Sequence, residues 1–227
     1  MAALRVLLFQ GSTRVEGPPR PARVGVRVSR WCEAALLARG HTVEVIDPVD
    51  TDLPLLRKPH FAYARGRAPA PLDKLAELIR ESQAYVMITP EYNHHPSPAL
   101  LNTLNHFGAS LFAFKPSAIV SYSQGQWGGV RAAHSLRAPL SELGCIPVSA
   151  MIHVPSAHEV FDEEGKLTQG QDVGKWASYG TRTWSQLEWW GNAAATQRLV
   201  QDPFDGSPAF ATSPTQRNAP QSQGPPE

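Results

Sequence analysis

Cysteine is scarce in this chain: two in 227 residues, Cys32 and Cys145, far apart and without the spacing of metal ligands. That leaves neither a disulfide framework nor a thiolate metal centre. No run of 18 apolar residues occurs, which excludes a transmembrane helix. Charge of one sign is lacking as well. Lys and Arg number 21 and Asp and Glu 20, a net charge of +1, so no strongly basic face marks a nucleic-acid binder. The apolar start, Leu4 to Phe9, is interrupted by Arg5 and stops at Gln10-Gly11 without a small-residue cleavage site. It reads as a first strand, not as a secretory leader. These absences predict a soluble, cytoplasmic protein with no structural metal, no membrane and no nucleic-acid partner.

What is present is an apolar fraction of 42%, enough for one continuous core in a chain that suits one domain. Charge is unevenly placed: residues 1–67 carry eleven basic and six acidic side chains. Such an excess is either a solvated face or a site for a small anion such as a cofactor phosphate.

Strand-like and helix-like segments alternate. The strands expected are Leu4–Gln10, Thr42–Ile46, Ala84–Thr89 (cut by Pro90), Ser117–Ser121 and Val148–Val154. The helices expected are Val24–Ala38, Leu72–Ser82, Pro98–Phe107, Val130–Leu143 with Pro139 inside it, and Lys175–Arg198. Residues 48–71 hold five prolines and read as a long loop. In the last helix Trp176, Tyr179, Trp184, Leu187 and Trp190 form an aromatic stripe, read as core. From Gln201 onward the chain is rich in Pro, Gln and Ser, and residues 201–227 read as a disordered tail after a domain spanning 1–200. Five short strands alternating with helices imply an α/β fold, a doubly wound parallel sheet with helices on both faces. Ligands of such sheets sit at the carboxyl ends of the strands.

Three loops there have unusual composition. The first reads Gly11-Ser12-Thr13-Arg14 and runs irregularly to Arg23-Val24-Gly25. A loop entering a helix N-terminus offers free amides and a positive dipole end to a phosphate. Ser12 and Thr13 add hydroxyls, and Arg14 adds a fork that matches phosphate oxygens. The second and third glycines of a dinucleotide fingerprint and the Gly-Lys-Ser/Thr of a P-loop are missing. A plain turn with capping hydroxyls explains this loop too. The second loop, Pro90-Glu91-Tyr92-Asn93-His94-His95-Pro96, is stiffened by proline and offers amides and an aromatic ring to a flat ligand. Its adjacent histidines point different ways and lack further ligands, so a metal is not expected. The third, Ser123-Gln124-Gly125-Gln126-Trp127-Gly128-Gly129, opens a helix and admits either a ligand or merely a tight turn.

In that order, Gly-Ser-Thr-Arg, Pro-Glu-Tyr-Asn and Ser-x-Gly-x-x-Gly-Gly resemble the NADPH-dependent FMN reductase family of flavodoxin-like flavoproteins, which includes quinone, azo-dye and chromate reductases. The resemblance covers about residues 4–198 and includes Leu187-Glu188-Trp189-Trp190. It implies a flavodoxin-like sheet and an FMN cofactor reduced by NADPH (or NADH), with hydride passing to flavin N5 and on to a small acceptor. The phosphate falls to Gly11, Ser12, Thr13 and Arg14 with Arg23, Val24 and Gly25. Pro90, Glu91, Tyr92 and Asn93 line the ring and ribityl chain, and Ser123 with Gly125 reaches the pyrimidine edge. No side chain is needed as nucleophile, in keeping with the lack of a serine–histidine or cysteine–histidine signature. The alternative on the same scaffold is a flavin-binding redox sensor with little turnover. A receiver module is excluded by Gly11-Ser12 where an acidic cluster belongs.

Two departures stand out. Residues 15–20 look inserted beside the first loop, and Leu101 and Asn105 stand where the family usually has a lysine and an acid. The family implies a homodimer or homotetramer. Leu100, Leu104, Phe107, Leu111, Phe112 and Phe114 point the same way, being more apolar groups than one short helix should bury, unless the long 48–71 loop covers them.

Overall fold

The structure, a computed structural model, describes residues 2–206. Its elements in chain order are β1 (Arg5–Gln10), α1 (Val24–Ala38), β2 (Thr42–Ile46), the one-turn α2 (Pro48–Thr51), a 3-10 turn at His60–Ala62 and α3 (Ala70–Glu81). There follow β3 (Ala84–Tyr92), β4 (His95–Pro96), α4 (Pro98–Asn105), α5 (Ala109–Phe112), β5 (Pro116–Tyr122) and α6 (Val130–Glu142). The chain continues through β6 (Ile146–Pro147), β7 (Ile152–Val154), α7 (Ala157–Val160), α8 (Val173–Arg198) and α9 (Pro203–Gly206).

The strands form a parallel sheet in the order β2-β1-β3-β5-β6, with β7 continuing the outer position beside β5. This is the flavodoxin-like doubly wound order. Both faces are covered, so the central strands β1, β3 and β5 are buried on both sides, while the edge strand β2 alternates. Val6, Leu8, Val86, Ile88 and Val120 pack against α1 and α8. Leu7, Phe9, Tyr85, Met87 and Ile119 pack against α3, α4 and α6.

Several expectations need correcting. β3 does not stop at Thr89 but runs through Pro90 to Tyr92, with Pro90 opposite Tyr122 of β5. On its other side β1 ends at Gln10, opposite Ile88, so no neighbour there requires a donor from Pro90. The fifth strand is broken in two. Ser149 and Ala150 leave the ladder because Gln186 of α8 accepts from Ser149 Oγ (2.9 Å) and Ala150 N (3.0 Å).

The apolar cluster after β4 is not surface. Leu100, Leu104, Phe107 and Phe112 are at most 2% exposed, buried in this chain's own core. Segment 48–71 helps cover them and is not a free loop: Asn102 accepts from Leu56 N (2.9 Å) and donates to Pro54 O (3.0 Å), and His60 N donates to His106 O (2.7 Å). The aromatic stripe is core at Trp184 and Leu187, with Trp176 and Tyr179 packed at its edge, but Trp190 is 41% exposed. The start of the expected tail is folded as α9, where Phe204 meets Phe114 edge-on at 5.7 Å. Its remainder, 207–227, lies outside the described residues.

Candidate functional site

The three loops converge at the carboxyl ends of β1, β3 and β5, and side chains lock them to one another. Gln10, buried at the end of β1, brackets the first loop. Its Oε1 accepts from Ser12 N and its Nε2 donates to Ser12 O at 3.0 Å. The Ser12 hydroxyl lies 3.3 Å from Tyr92 Oη and accepts from Arg14 N at 3.3 Å. Ser97, the N-cap of α4, accepts from Leu100 N at 3.2 Å and donates to Gly11 O. The first loop is thereby fastened to both ends of the β3–β4 hairpin.

Glycine is needed at two positions of this loop for space. A Cβ on Gly11 would stand 2.4 Å from Ile88 O, and one on Gly25 would stand 2.4 Å from Tyr122 Oη. Tyr122 is a buried phenol under the start of α1, and that burial pushes its ionisation well above the ordinary tyrosine value.

The N-terminus of α1 carries no side-chain cap and no acidic residue in its first turn. Among the described residues, no protein acceptor meets the amides of Thr13, Val24 or Gly25. Two arginines flank these donors. Arg14 reaches back to Pro19 O (2.9 Å), and Arg23, with a left-handed φ of 57°, pairs with Asp47 and donates to Ser12 O (3.3 Å). Free amides, a positive helix end and two guanidinium groups fit a phosphate group.

The second loop is an antiparallel hairpin, with Glu91 opposite Pro96 and Tyr92 opposite His95. Asn93 (φ 50°) and His94 (φ 66°) make its two-residue turn, the left-handed pair that suits a twisted hairpin. Pro90 is buried, Tyr92 half-buried, and Asn93 exposed at the tip. Glu91 faces elsewhere. Its carboxylate accepts from Arg131 N (3.1 Å), Ala132 N (3.3 Å) and Arg131 Nη1 (3.2 Å), capping α6. The structure therefore brings Tyr92 to the first loop, sets Pro90 beside Tyr122 of β5, leaves Asn93 at the exposed hairpin tip and gives the Glu91 carboxylate to helix capping.

In the third loop the Ser123 hydroxyl donates to Gly125 O (2.8 Å), which also accepts from Ser156 N (3.1 Å). Gln124 reaches across to Pro21 O at 3.2 Å and ties this loop to the first. Gly128 and Gly129, with φ of 60° and 77°, turn the chain into α6 against Val154 and Ser121. The exposed Trp127 ring lies 5.7 Å from the Arg131 guanidinium. Ser97, Tyr122 and Gln124 lie in the loops the sequence marks as the site but receive no individual role from it, and Gln10 lies outside those loops. Gln10 alone left a signal, a polar residue closing an otherwise apolar strand.

A parallel sheet in this order, with three interlocked loops at the carboxyl ends of its central strands, defines a flavodoxin-like α/β protein. Residues 4–159 match the family described as NADPH-dependent FMN reductase, and the chain belongs to that family. It is 32% identical over 136 residues to an NAD(P)H-dependent FMN reductase of Pseudomonas aeruginosa, covering 58% of this chain and 71% of that protein. It is 33% identical over 122 residues to a quinone reductase of Pseudomonas putida, covering 51% of this chain and 63% of that one. An NADPH azoreductase of a Bacillus species is 30% identical over 100 residues, 44% of this chain and 53% of its own. Among solved structures, the flavoenzyme NAD(P)H:acceptor oxidoreductase FerB of Paracoccus denitrificans shares the fold with a TM-score of 0.65. It is 20% identical, and the match covers 84% of this chain and 98% of that one.

Proposed function

We propose that this protein is an FMN-dependent reductase that takes reducing equivalents from NADPH or NADH and delivers them to a quinone, a free flavin or a similar small acceptor. The observation that carries the reading is the uncapped start of α1 in a loop bonded to Tyr92 through Ser12 and to Gln124 through Pro21 O. Bound FMN supplies hydride acceptance and donation at its N5. The chain's own work is to hold and shield. Thr13, Arg14, Arg23 and the amides of Val24 and Gly25 receive the phosphate, with Gly11 and Ser12 shaping the turn. Pro90, Tyr92 and Asn93 flank the ring and ribityl chain, Glu91 fixes that hairpin to α6, and the Ser123–Gly125 turn borders the ring's polar edge.

Family kinship and the names of the relatives support this reading, and the setting that goes with it is the cytoplasm, where nicotinamide dinucleotides are kept reduced. Among the described residues, no helix is long and apolar enough to cross a membrane. Adding FMN to the purified full-length protein and then desalting tests the reading. Retained flavin with NAD(P)H oxidation that depends on a quinone is expected, and an absorbance spectrum without flavin bands would refute it.

A further inference from the structure

The three loops of the candidate site are joined to one another pairwise. Ser12 and Tyr92 join the first to the second, and Gln124 with Pro21 O joins the third to the first. The second and third are joined by the ion pair of Glu91 with Arg131 at 3.2 Å. Beside that pair lies the ring of Trp127, 5.7 Å from the Arg131 guanidinium. Trp127 therefore stands on the perimeter of the site, between the Tyr92 hairpin and the Ser123–Gly125 turn.

The chain has six tryptophans. Trp31, Trp176 and Trp184 pack together, and Trp189 meets Trp190 edge-on at 4.7 Å. Trp127 meets no other aromatic ring among the described residues and is 60% exposed. On a loose loop such exposure would mean little, but this loop is held on both sides of the ring. Ser156 N donates to Gly125 O (3.1 Å), and Val130 N donates to Trp127 O (3.3 Å). A Cβ on Gly128 would stand 3.0 Å from Pro155 N, so the turn just after Trp127 lies hard against that backbone. The guanidinium is fixed too, because the Glu91 carboxylate that it meets also accepts from Arg131 N and Ala132 N. An indole on a rigid loop, backed by a held cation and otherwise open to water, is a surface on which flat rings stack.

The two substrates of a flavin reductase differ in how much they need such a surface. A dinucleotide brings sugars and phosphates as further handles for its single nicotinamide ring. A small acceptor has little to offer a protein except its flat faces. We propose that Trp127 is the shelf on which the electron acceptor seats, and that it selects planar acceptors of two or more fused rings. This rests on the reductase reading above and narrows its substrate class. A quinone seated there takes a hydride from the reduced flavin and a proton from water and leaves as the quinol, with the flavin oxidised again. Stacking that is the same before and during the transfer is felt in KM and not in kcat.

The test uses the full chain loaded with FMN, with Trp127→Ala and Trp127→Phe beside wild type. Calorimetric titration of the oxidised proteins with coumarin, a flat two-ring carbonyl compound, reads the shelf without turnover. Coumarin is expected to bind wild type, to bind Trp127→Ala about tenfold more weakly, and to bind Trp127→Phe within about threefold of wild type. In steady state with menadione, KM should rise about tenfold in Trp127→Ala while kcat stays within about twofold. Reoxidation by ferricyanide, which has no ring to stack, and flavin reduction by NADPH should each change less than about twofold. No coumarin binding by wild type, or equal binding by wild type and Trp127→Ala, would overturn the proposal. Equal losses for menadione and ferricyanide, or a loss of retained FMN in Trp127→Ala, would overturn it as well, since Trp127 would then serve the flavin or the fold. Failure of wild type to retain FMN, or to be reduced by either dinucleotide, defeats the reductase reading and the shelf with it. With flavin retained and reduced, indifference of coumarin and menadione to Trp127 sinks the shelf alone.

Discussion

Arg14 is placed where its loss should separate a ligand role from a folding role. Among the described residues its guanidinium bonds only a carbonyl of its own loop, Pro19 O, and it flanks the free amides at α1. Arg14→Ala should weaken FMN binding roughly ten- to hundred-fold, from a charge-assisted contact of about 1.5–3 kcal/mol. Riboflavin, which lacks the phosphate, should bind almost as before. Titrating each ligand into apoprotein checks this, and equal losses for both would remove the phosphate assignment. Gly25 makes a steric case. Gly25→Ala drives a methyl into the Tyr122 hydroxyl and should cost about 1–3 kcal/mol. Adding Tyr122→Phe should restore part of that loss in urea unfolding, because it deletes the clashing atom. Gly11, Arg14 and Tyr92 were legible in the sequence because their neighbours in the chain frame them. Gln10 and Tyr122 were not, since their roles exist only once β1 and β5 bring them under the start of α1.

Lys115 belongs to the same scale. It is buried beside Tyr85 and donates to Ile79 O (2.7 Å) and Arg80 O (2.8 Å). Burial, with Arg198 and Arg80 nearby, lowers its ionisation from 10.5 to about 7. Between those values the unfolded chain holds a proton that the folded chain lacks, so this group's contribution to stability improves as pH rises from about 7 towards 10. Urea unfolding of wild type and Lys115→Met across that range should show wild type gaining on the variant with rising pH. A constant difference would contradict the assignment.

Among the elements, the alternation of apolar runs and helical spacings identified the parallel strands and long helices. Their interruptions depended on partners. Pro90 reads as a stop until β1 is seen to end short of it. The break between β6 and β7 depends on Gln186, more than 30 residues downstream. Hairpin β3–β4 reads as a loop in the sequence because Asn93 and His94 give a weaker turn signal than an Asn-Gly pair.

Helix α8 is docked at the opposite end of the sheet by Glu188. It accepts from Arg39 Nη2 (2.7 Å) and His41 Nε2 (3.0 Å), while His41 Nδ1 accepts from Leu4 N (3.2 Å). Burial opposes ionisation of Glu188, but the bonds from Arg39 and His41 outweigh it and hold the carboxyl below its ordinary value. Stability from this group is therefore full above the unfolded carboxyl's range and is lost as pH falls through it. Glu188→Ala should cost about 2–3 kcal/mol in urea unfolding, at the low end for a buried pair because Arg39 reaches solvent. An unchanged midpoint would show that α8 docks by its apolar face alone.

At the level of the whole molecule, the expected assembly needs a new surface. The cluster after β4 is interior, whereas Trp189, Trp190, Leu199 and Val200 are exposed and Ile146 is at the margin. A groove of about 570 Å³ runs between Trp190, Ile146, Ala193 and Pro203. A homodimer or homotetramer, as the family implies, would have this exposed apolar groove to pair through. Light scattering at micromolar protein should give a multiple of the 24.8 kDa chain mass, and Trp190→Glu should reduce it to one. A wild-type monomer would reject the pairing and leave the site untouched.

The interlocked loops at the carboxyl ends of β1, β3 and β5 are proposed to hold a flavin for reduction by a nicotinamide dinucleotide. Anaerobic addition of NADPH or NADH to the FMN-loaded, desalted protein tests it most directly. The account predicts loss of the visible flavin absorbance in proportion to dinucleotide oxidised, with recovery on adding a quinone. Bound flavin that keeps its absorbance under excess NADPH and excess NADH would contradict it.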